Sequence, residues 1–223
     1  MGPMQPHVTP VDWTLVVPLK PLTRAKSRLT GAVPGVPLPQ LALAFAQDTV
    51  RAALTCRAVR DVVVVTDDPL AARALEALGA HRVPDAPGDG LNAALAHGAG
   101  AARARHPHTA LAALNADLPA LRPAELTRVL NAAAQFRRAF LPDAAEIGTT
   151  LLTALPGVAL SPAFGGPSRA RHRASGAREL DARRVRSVRQ DVDTPADLRA
   201  ALALGVGDST AGLLARRAAD RCG

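Results

Sequence analysis

The chain has 223 residues, 48% of them hydrophobic, and a formal net charge of +8, which suits one folded domain with a sizeable core and excludes a disordered polyelectrolyte. Its two cysteines, Cys56 and Cys222, exclude a disulfide framework, and no apolar run is long enough to span a membrane as a helix. A pI near 11.2 admits a nucleic-acid-binding module, but aromatics at 2% provide no stacking surface and neither helix-turn-helix nor zinc-ligand spacing occurs; the charge suits a small polyanion equally well.

Residues 1–11, polar and proline-containing, read as a disordered lead-in that lacks the charged and apolar regions of a signal peptide, which together with the cysteine usage points to the cytosol. Residues 12–205 read as a single domain, and 206–223 as a peripheral C-terminal segment containing a short helix. Within the domain, β-branched runs alternate with alanine- and leucine-rich amphipathic segments, the pattern of strands joined by crossover helices. Trp13–Pro18 is the first strand. Leu38, Leu41, Phe45 and Ala52 share a helical face, and Asp61–Thr66 is a strand of the buried parallel type. TDDP starts a helix that ends at Gly79, capped by Asp67 or Asp68 with Pro69 in its first turn. His81–Pro84, Thr109–Leu114, Arg138–Pro142, Thr150–Leu155 and Val185–Val188 read as further strands. Helices are expected over Leu91–Arg105, over Pro123–Phe136 and from Thr194 to Gly205, the last opened by a cap and a first-turn proline. The fold class is α/β, a three-layer Rossmann-like domain whose sheet is mostly parallel and later mixed. Ligands bind such sheets beyond the carboxyl ends of the strands, so the loops after Pro18, Thr66, Leu114 and Pro142 are expected to share one rim.

Five constellations fall on that rim. Of 27 basic side chains only two are lysines, Lys20 and Lys26, and both lie with Arg24 and Arg28 in the loop after the first strand. An ammonium is a compact point charge able to meet a phosphate oxygen end-on. The loop has no glycine before Gly31 and matches neither GxxxxGK[ST] nor GxGxxG, so side chains must hold phosphates there; Lys20, directly off the strand, has the most fixed position. A solvated basic turn explains the charge alone about as well. In LNADLP, Asp117 follows an apolar strand, where a charge needs a partner or a metal; a turn-capping aspartate is the plain alternative. In DVD, Asp191 and Asp193 sit on one side of an extended segment and can converge with Asp117 on a hard cation. In FGGPSRARH, the glycines at 165 and 166 admit close backbone approach and Ser168 opens a helical stretch, which suits a small phosphorylated or carboxylated acid; His172 one turn on is as readily structural. In GDGLN, Asp89, Gly90 and Asn92 can present acceptor and donor groups to a nucleobase or ribose, although a helix start accounts for them equally.

Taken in order, VPLKPLTRAKSRL, GDGLNAAL, NADLP, GTT followed by FGGPSRARH, and DVDTPADL resemble the phosphoenolpyruvate and 2-phospho-L-lactate guanylyltransferase family of coenzyme F-420 biosynthesis, over nearly the whole span from Trp13 to Leu204. The glycine-rich LxGGxSxRMGxDK loop of the wider nucleotidyltransferase group is absent. The resemblance implies transfer of GMP from GTP to the phosphate of a small acid, phosphoenolpyruvate first, with 2-phospho-L-lactate or 3-phosphoglycerate as alternatives. It implies Mg²⁺ on Asp117, Asp191 and Asp193, phosphate contacts from Lys20, Lys26 and Arg28, and the acid on Thr150, Gly165 and Ser168. It also implies a downstream transferase that consumes the product, no nucleic-acid or membrane partner, and room for a homodimer.

Overall fold

Strand β1 (Trp13–Pro18) is buried along nearly its whole length, and in the computed structural model, which describes residues 11–219, it lies at the centre of a seven-stranded sheet. All but the last residue of the expected lead-in falls outside the described residues. Parallel partners flank β1: β2 (Val59–Val65) on one side and β4 (Ala110–Leu114) on the other, with β3 (His81–Val83) outside β2. The inner stretches of these strands, Leu15–Val17 of β1, Val62–Val65 of β2 and all of β4, are apolar because both sheet faces are covered there. Helices α1 (Leu38–Leu54) and α4 (Pro123–Ala133) pack on one face around Trp13, Leu15, Val62 and Leu126, while α3 (Leu91–Arg105) covers Val16, Val63 and Leu111 on the other. Closeness on that second face depends on Gly98, where an added Cβ would stand 2.5 Å from Val65 Cγ2 and 2.6 Å from Val16 Cγ1. A larger residue must push α3 off the sheet.

Beyond β4 the parallel pattern breaks. Strand β6 (Thr149–Ala154) runs antiparallel between β4 and β5 (Arg138–Pro142), so β5 again points the way β1 does, and a two-residue β7 (Arg178–Glu179) closes the edge. The order is β3-β2-β1-β4-β6-β5-β7, the mostly parallel and then mixed sheet expected. The carboxyl ends of β1, β2, β4 and β5 and the start of β6 therefore lie at one rim. Pairing shifts there: Leu141 faces Leu151 but Pro142 faces Thr149, leaving Thr150 as the extra residue of a bulge that redirects the neighbouring side chains.

One expected strand is a helix. Val185–Val188 forms the single turn of α6 (Arg186–Arg189) instead, because Glu125 of α4 accepts hydrogen bonds from both the Ser187 N–H and hydroxyl at 2.8 Å, capping the turn from outside. Two valines three apart bury as well on one helical turn as on a strand, and Val185 and Val188 are both in the core. Helix α2 (Pro69–Glu76) is capped by Asp68, which accepts from the N–H groups of Leu70 and Ala71 and also from Leu22 N–H at 2.9 Å, tying the basic loop to the helix. Helix α7 (Pro195–Leu204) opens with the Thr194–Asp197 capping box. The segment beyond Gly205 contains α8 (Asp208–Ala219), held against α1 by Asp48, a buried carboxylate that accepts the N–H groups of Ser209 and Thr210 at 2.9 Å.

Candidate active site

A cleft of about 380 Å³ opens along the rim between the loops after β1, β4 and β5 and the segment that leads into α5 (Ser168–Ala174). Its two walls differ in chemistry. On one side stands the basic loop, folded as two tight turns, Leu22–Arg24 and Ser27–Leu29, with Lys26 between them in the left-handed conformation at φ 61°. That bend, costly for a side chain of this type, sends the Lys26 ammonium inward to Asp117 and to Asp193 Oδ1, the latter at 2.9 Å. Burial opposes the lysine charge, but Asp117 and Asp193 outweigh it and hold the pKa above the ordinary lysine value. Lys20 and Arg24 also line the cleft and are exposed, whereas Arg28 points outward and lies outside the lining.

Four carboxylates, of Asp117, Asp143, Asp191 and Asp193, line this cleft, and two of them, Asp117 and Asp193, contact the Lys26 ammonium. Asp117 follows β4 and its Oδ1 is buried without a partner. Asp191 accepts a long hydrogen bond from Asn115 Nδ2 at 3.4 Å, and its carboxyl is pushed up to about 8 by burial first and by Asp117, Asp193 and Asp143 next, with Lys26 only partly offsetting them. The fourth, Asp143, follows β5 and had no motif to mark it; its carboxylate accepts the N–H groups of Ile147 and Gly148 at 3.0 and 2.8 Å. Gly148 is required there, since an added Cβ would stand 2.4 Å from Asp143 Oδ2. Surplus negative charge, an orphaned buried oxygen and an all-oxygen donor set fit a hard divalent cation. Asp117, Asp191 and Asp193 share this cleft with Asp143, but among the described residues no three His, Cys, Asp or Glu side chains stand close enough together to form a ready-made metal cage.

The opposite wall is built from β6 and the Phe164–Ser168 segment. Gly165 and Ser168 line the cleft, and the Ser168 hydroxyl makes no hydrogen bond to a described residue. Arg171 braces the segment from behind by donating to the carbonyls of Ala163, Phe164 and Gly165. Thr150 is fully buried and does not reach the cleft; its Oγ1 has no partner and its carbonyl accepts Asn115 N–H at 3.0 Å. The bulge presents Thr149 instead. His172 is fully buried between Phe140 and Phe164 and fixes this wall. Its Nε2 accepts from Ala163 N–H at 3.0 Å, so Nδ1 carries the proton and donates to Thr149 Oγ1 at 2.9 Å. The histidine is a clip between the two halves of the wall, consistent with the structural alternative.

That clip has a measurable pH signature. Burial, then the nearby charges of Arg138 and Arg171, lower the His172 pKa from 6.5 to about 4. Between those values the unfolded chain binds a proton that the fold refuses, so His172 contributes its full stability above pH 6.5 and loses it as pH falls toward 4. The loss is about 2–3 kcal/mol by pH 4.5. Urea unfolding at pH 7.5 and 4.5 should show this difference in the native chain and a smaller one in His172→Gln; an equal difference in both would remove His172 as its source.

The remaining predicted residues separate. Asn92 is committed to the protein: its Nδ2 donates to Phe164 O at 3.1 Å and its Oδ1 accepts Phe164 N–H at 2.8 Å, joining the start of α3 to the opposite wall. Asp89 is exposed and outside the lining, while Gly90 borders a small side slot of the cleft. The carboxylates, the lysines, Gly165 and Ser168 are therefore brought together, and Arg28, Asp89, Asn92 and Thr150 are not.

Residues 41–193 match the MobA-like NTP transferase domain family, so the mixed α/β sheet with its carboxylate-lined rim is that of a nucleotidyltransferase. A nucleotidyl transferase from Methanothermobacter thermautotroptrophicus shares the fold with a TM-score of 0.57 at 18% identity, over 86% of this chain and 97% of that one. A Mycobacterium tuberculosis protein solved in complex with manganese aligns with a TM-score of 0.50 at 21% identity, over 87% of this chain and all of its own. The chain is 68% identical to the phosphoenolpyruvate guanylyltransferase of Streptomyces coelicolor over 92% of its length and 97% of the relative's. It belongs to the phosphoenolpyruvate guanylyltransferase family and is a guanylyltransferase.

Proposed function

We propose that the chain transfers GMP from GTP to the phosphate of phosphoenolpyruvate in coenzyme F-420 biosynthesis, acting in the cytoplasm. The observation that carries this reading is the division of a single cleft, with lysines and a carboxylate cluster only partly paired by Lys26 on one wall and a hydroxyl- and glycine-lined wall on the other. Two polyanions can be held face to face there. A phosphate oxygen of the acid attacks the α-phosphorus of GTP, the bond from that phosphorus to the oxygen bridging to the β-phosphate breaks, and diphosphate leaves. No covalent bond to the protein is needed, since positioning and charge compensation carry most of such a transfer.

Each wall has a task in that step. Lys20, at the fixed end of β1, and Lys26 approach the GTP phosphates and offset charge on the departing diphosphate; Arg28 stands outside the lining and contributes only to the surrounding positive field. Asp117, Asp191 and Asp193 would hold Mg²⁺, which when bound neutralises phosphate oxygens. Ser168 donates its hydroxyl to the acid, and Gly165 lets the backbone come close. The bulge at Thr150 shapes the pocket through its backbone and through Thr149, whose O–H remains free to donate because its oxygen already accepts from His172. The guanylylated acid carries a reactive diphosphate linkage, so a transferase that consumes it belongs to the same sequence of reactions.

The test is diphosphate release from the purified chain with GTP, Mg²⁺ and each of phosphoenolpyruvate, 2-phospho-L-lactate and 3-phosphoglycerate. Release is expected with GTP and phosphoenolpyruvate together and is expected to vanish without the acid. Equal release with no acid present, or faster release with either alternative acid, would overturn the assignment of the acceptor.

A further inference from the structure

Helix α1 buries nine side chains, and only two of them, Asp48 and Thr49, are polar. Asp48 is accounted for by the start of α8, whose N–H groups it accepts. Thr49 is fully buried, at a place where a valine would pack as well and an alanine would suit the helix better. Part of its bonding is local, since the hydroxyl donates to Phe45 O one turn back at 2.8 Å. The rest reaches across the fold. The same oxygen accepts Leu118 N–H at 3.0 Å and lies 3.1 Å from Ala116 O, so its proton is shared between two carbonyls. Ala116 and Leu118 are the chain neighbours of Asp117. One side chain of α1 thus spans the residue that carries the unpartnered buried oxygen. Two backbone bonds hold the same turn from other sides, Val192 N–H to Asp117 O at 3.1 Å and Gly207 N–H to Pro119 O at 2.9 Å.

We infer that Thr49 is a positioning residue for Asp117: its hydroxyl fixes the peptide groups on either side of that residue and so sets the direction in which the carboxylate enters the cleft. This rests on the guanylyl-transfer reading, in which Asp117 belongs to the reacting centre. The carboxylate's own bonds do little to orient it, because one oxygen has no partner and the other meets an ammonium on a flexible stem. Its aim therefore comes from the backbone. The turn that carries it lies outside any strand or helix, whereas α1 is a 17-residue helix packed on the sheet, and a reacting group is held most firmly from a rigid element. Without the hydroxyl, the Leu118 N–H is left buried and lacking its acceptor, and the turn must shift to find another. A displacement of about 1 Å at a reacting group costs on the order of 100-fold in rate.

A double-mutant cycle of Thr49→Val and Asp117→Asn, in the full chain with GTP, Mg²⁺ and phosphoenolpyruvate, isolates the claim. In the native background Thr49→Val is expected to lower kcat by about 30-fold. KM for GTP and for the acid should stay within about twofold, because the lysines and the Ser168 wall are untouched. In the Asp117→Asn background the same change should cost less than about threefold, since no charge remains to be aimed. Thr49→Ser keeps the hydroxyl and should return kcat to within about threefold of native. Hydrogen exchange at the Leu118 amide, measured without nucleotide or metal, should quicken by at least about tenfold in Thr49→Val and stay native in Thr49→Ser. Equal losses of kcat in both backgrounds would overturn the inference, because a hydroxyl that merely supports the fold acts whether or not residue 117 is charged. Native turnover or native Leu118 exchange in Thr49→Val, or a serine variant as slow as the valine one, would overturn it too. If Thr49→Val does not fold, Thr49→Cys is held to the same outcomes, since its thiol fills similar space and bonds only weakly. Native turnover in Asp117→Asn overturns this inference together with the placing of Asp117, and leaves guanylyl transfer standing.

Discussion

Asp117→Asn is expected to lower diphosphate release by about three orders of magnitude, a loss on the order of 4 kcal/mol of transition-state stabilisation. The physical argument starts from its two oxygens. One pairs with Lys26 and the other is buried with no partner at all, so the isosteric amide keeps the shape of the β4 turn while removing the charge that a divalent cation would require. Stability should change little, because the amide also relieves repulsion among four neighbouring carboxylates, the same repulsion that helps to raise Asp191. Titration with Mn²⁺ followed by electron paramagnetic resonance would show weaker metal binding in parallel. Unaltered turnover would remove Asp117 from the reacting centre.

Lys26→Met is expected to fail differently, in the fold as well as in the reaction. Removing one partner of a largely buried ion pair strands the other charge. Here Asp117 is stranded fully and Asp193 less so, because the Asp193 side chain is 57% exposed. A loss of about 2–3 kcal/mol follows, which corresponds to roughly 5–10 °C in melting temperature for a chain of this length. Saturating Mg²⁺ should return most of that loss, since a divalent cation among the same carboxylates replaces the missing ammonium, yet turnover should stay at least about 100-fold low because a phosphate contact is gone. A melting temperature equal to that of the native protein, with or without Mg²⁺, would show that the Lys26 pair contributes no net stability.

The contrast between these two residues bears on what could be read from the chain alone. The retention of lysine at positions 20 and 26 in an arginine-rich protein was a compositional signal, and Asp117 and Asp191–Asp193 carried short motifs at the ends of predicted elements. Those residues do converge. Asp143 carried no such mark: it is one aspartate after a strand, and only the spatial order of strands shows that it joins the carboxylate cluster. The bulge at Thr150 was equally hidden, because it arises from a pairing mismatch between β5 and β6 rather than from either sequence. Helix α6 was misread as a strand since its cap comes from Glu125, some sixty positions earlier. Asn92 reads equally as a ligand contact and as part of a helix start, because nothing local reveals that the Phe164 backbone sits against it. Periodicity sees neighbours along an element; it does not see which strand lies beside which.

Lys26 and Asp193 meet across 167 positions, and Asp48 holds the start of α8 across 161. Gly207 N–H, immediately before that helix, donates to the carbonyl of Pro119, two residues beyond Asp117. During synthesis, therefore, the parallel half of the sheet with its basic loop emerges well before the segment that completes the acid cluster. A chain stopped before Asp193 would display its lysines and Asp117 to solvent without the far half of their clasp. Completion of the carboxylate cluster around Lys26 is thus one of the last events in the birth of the molecule.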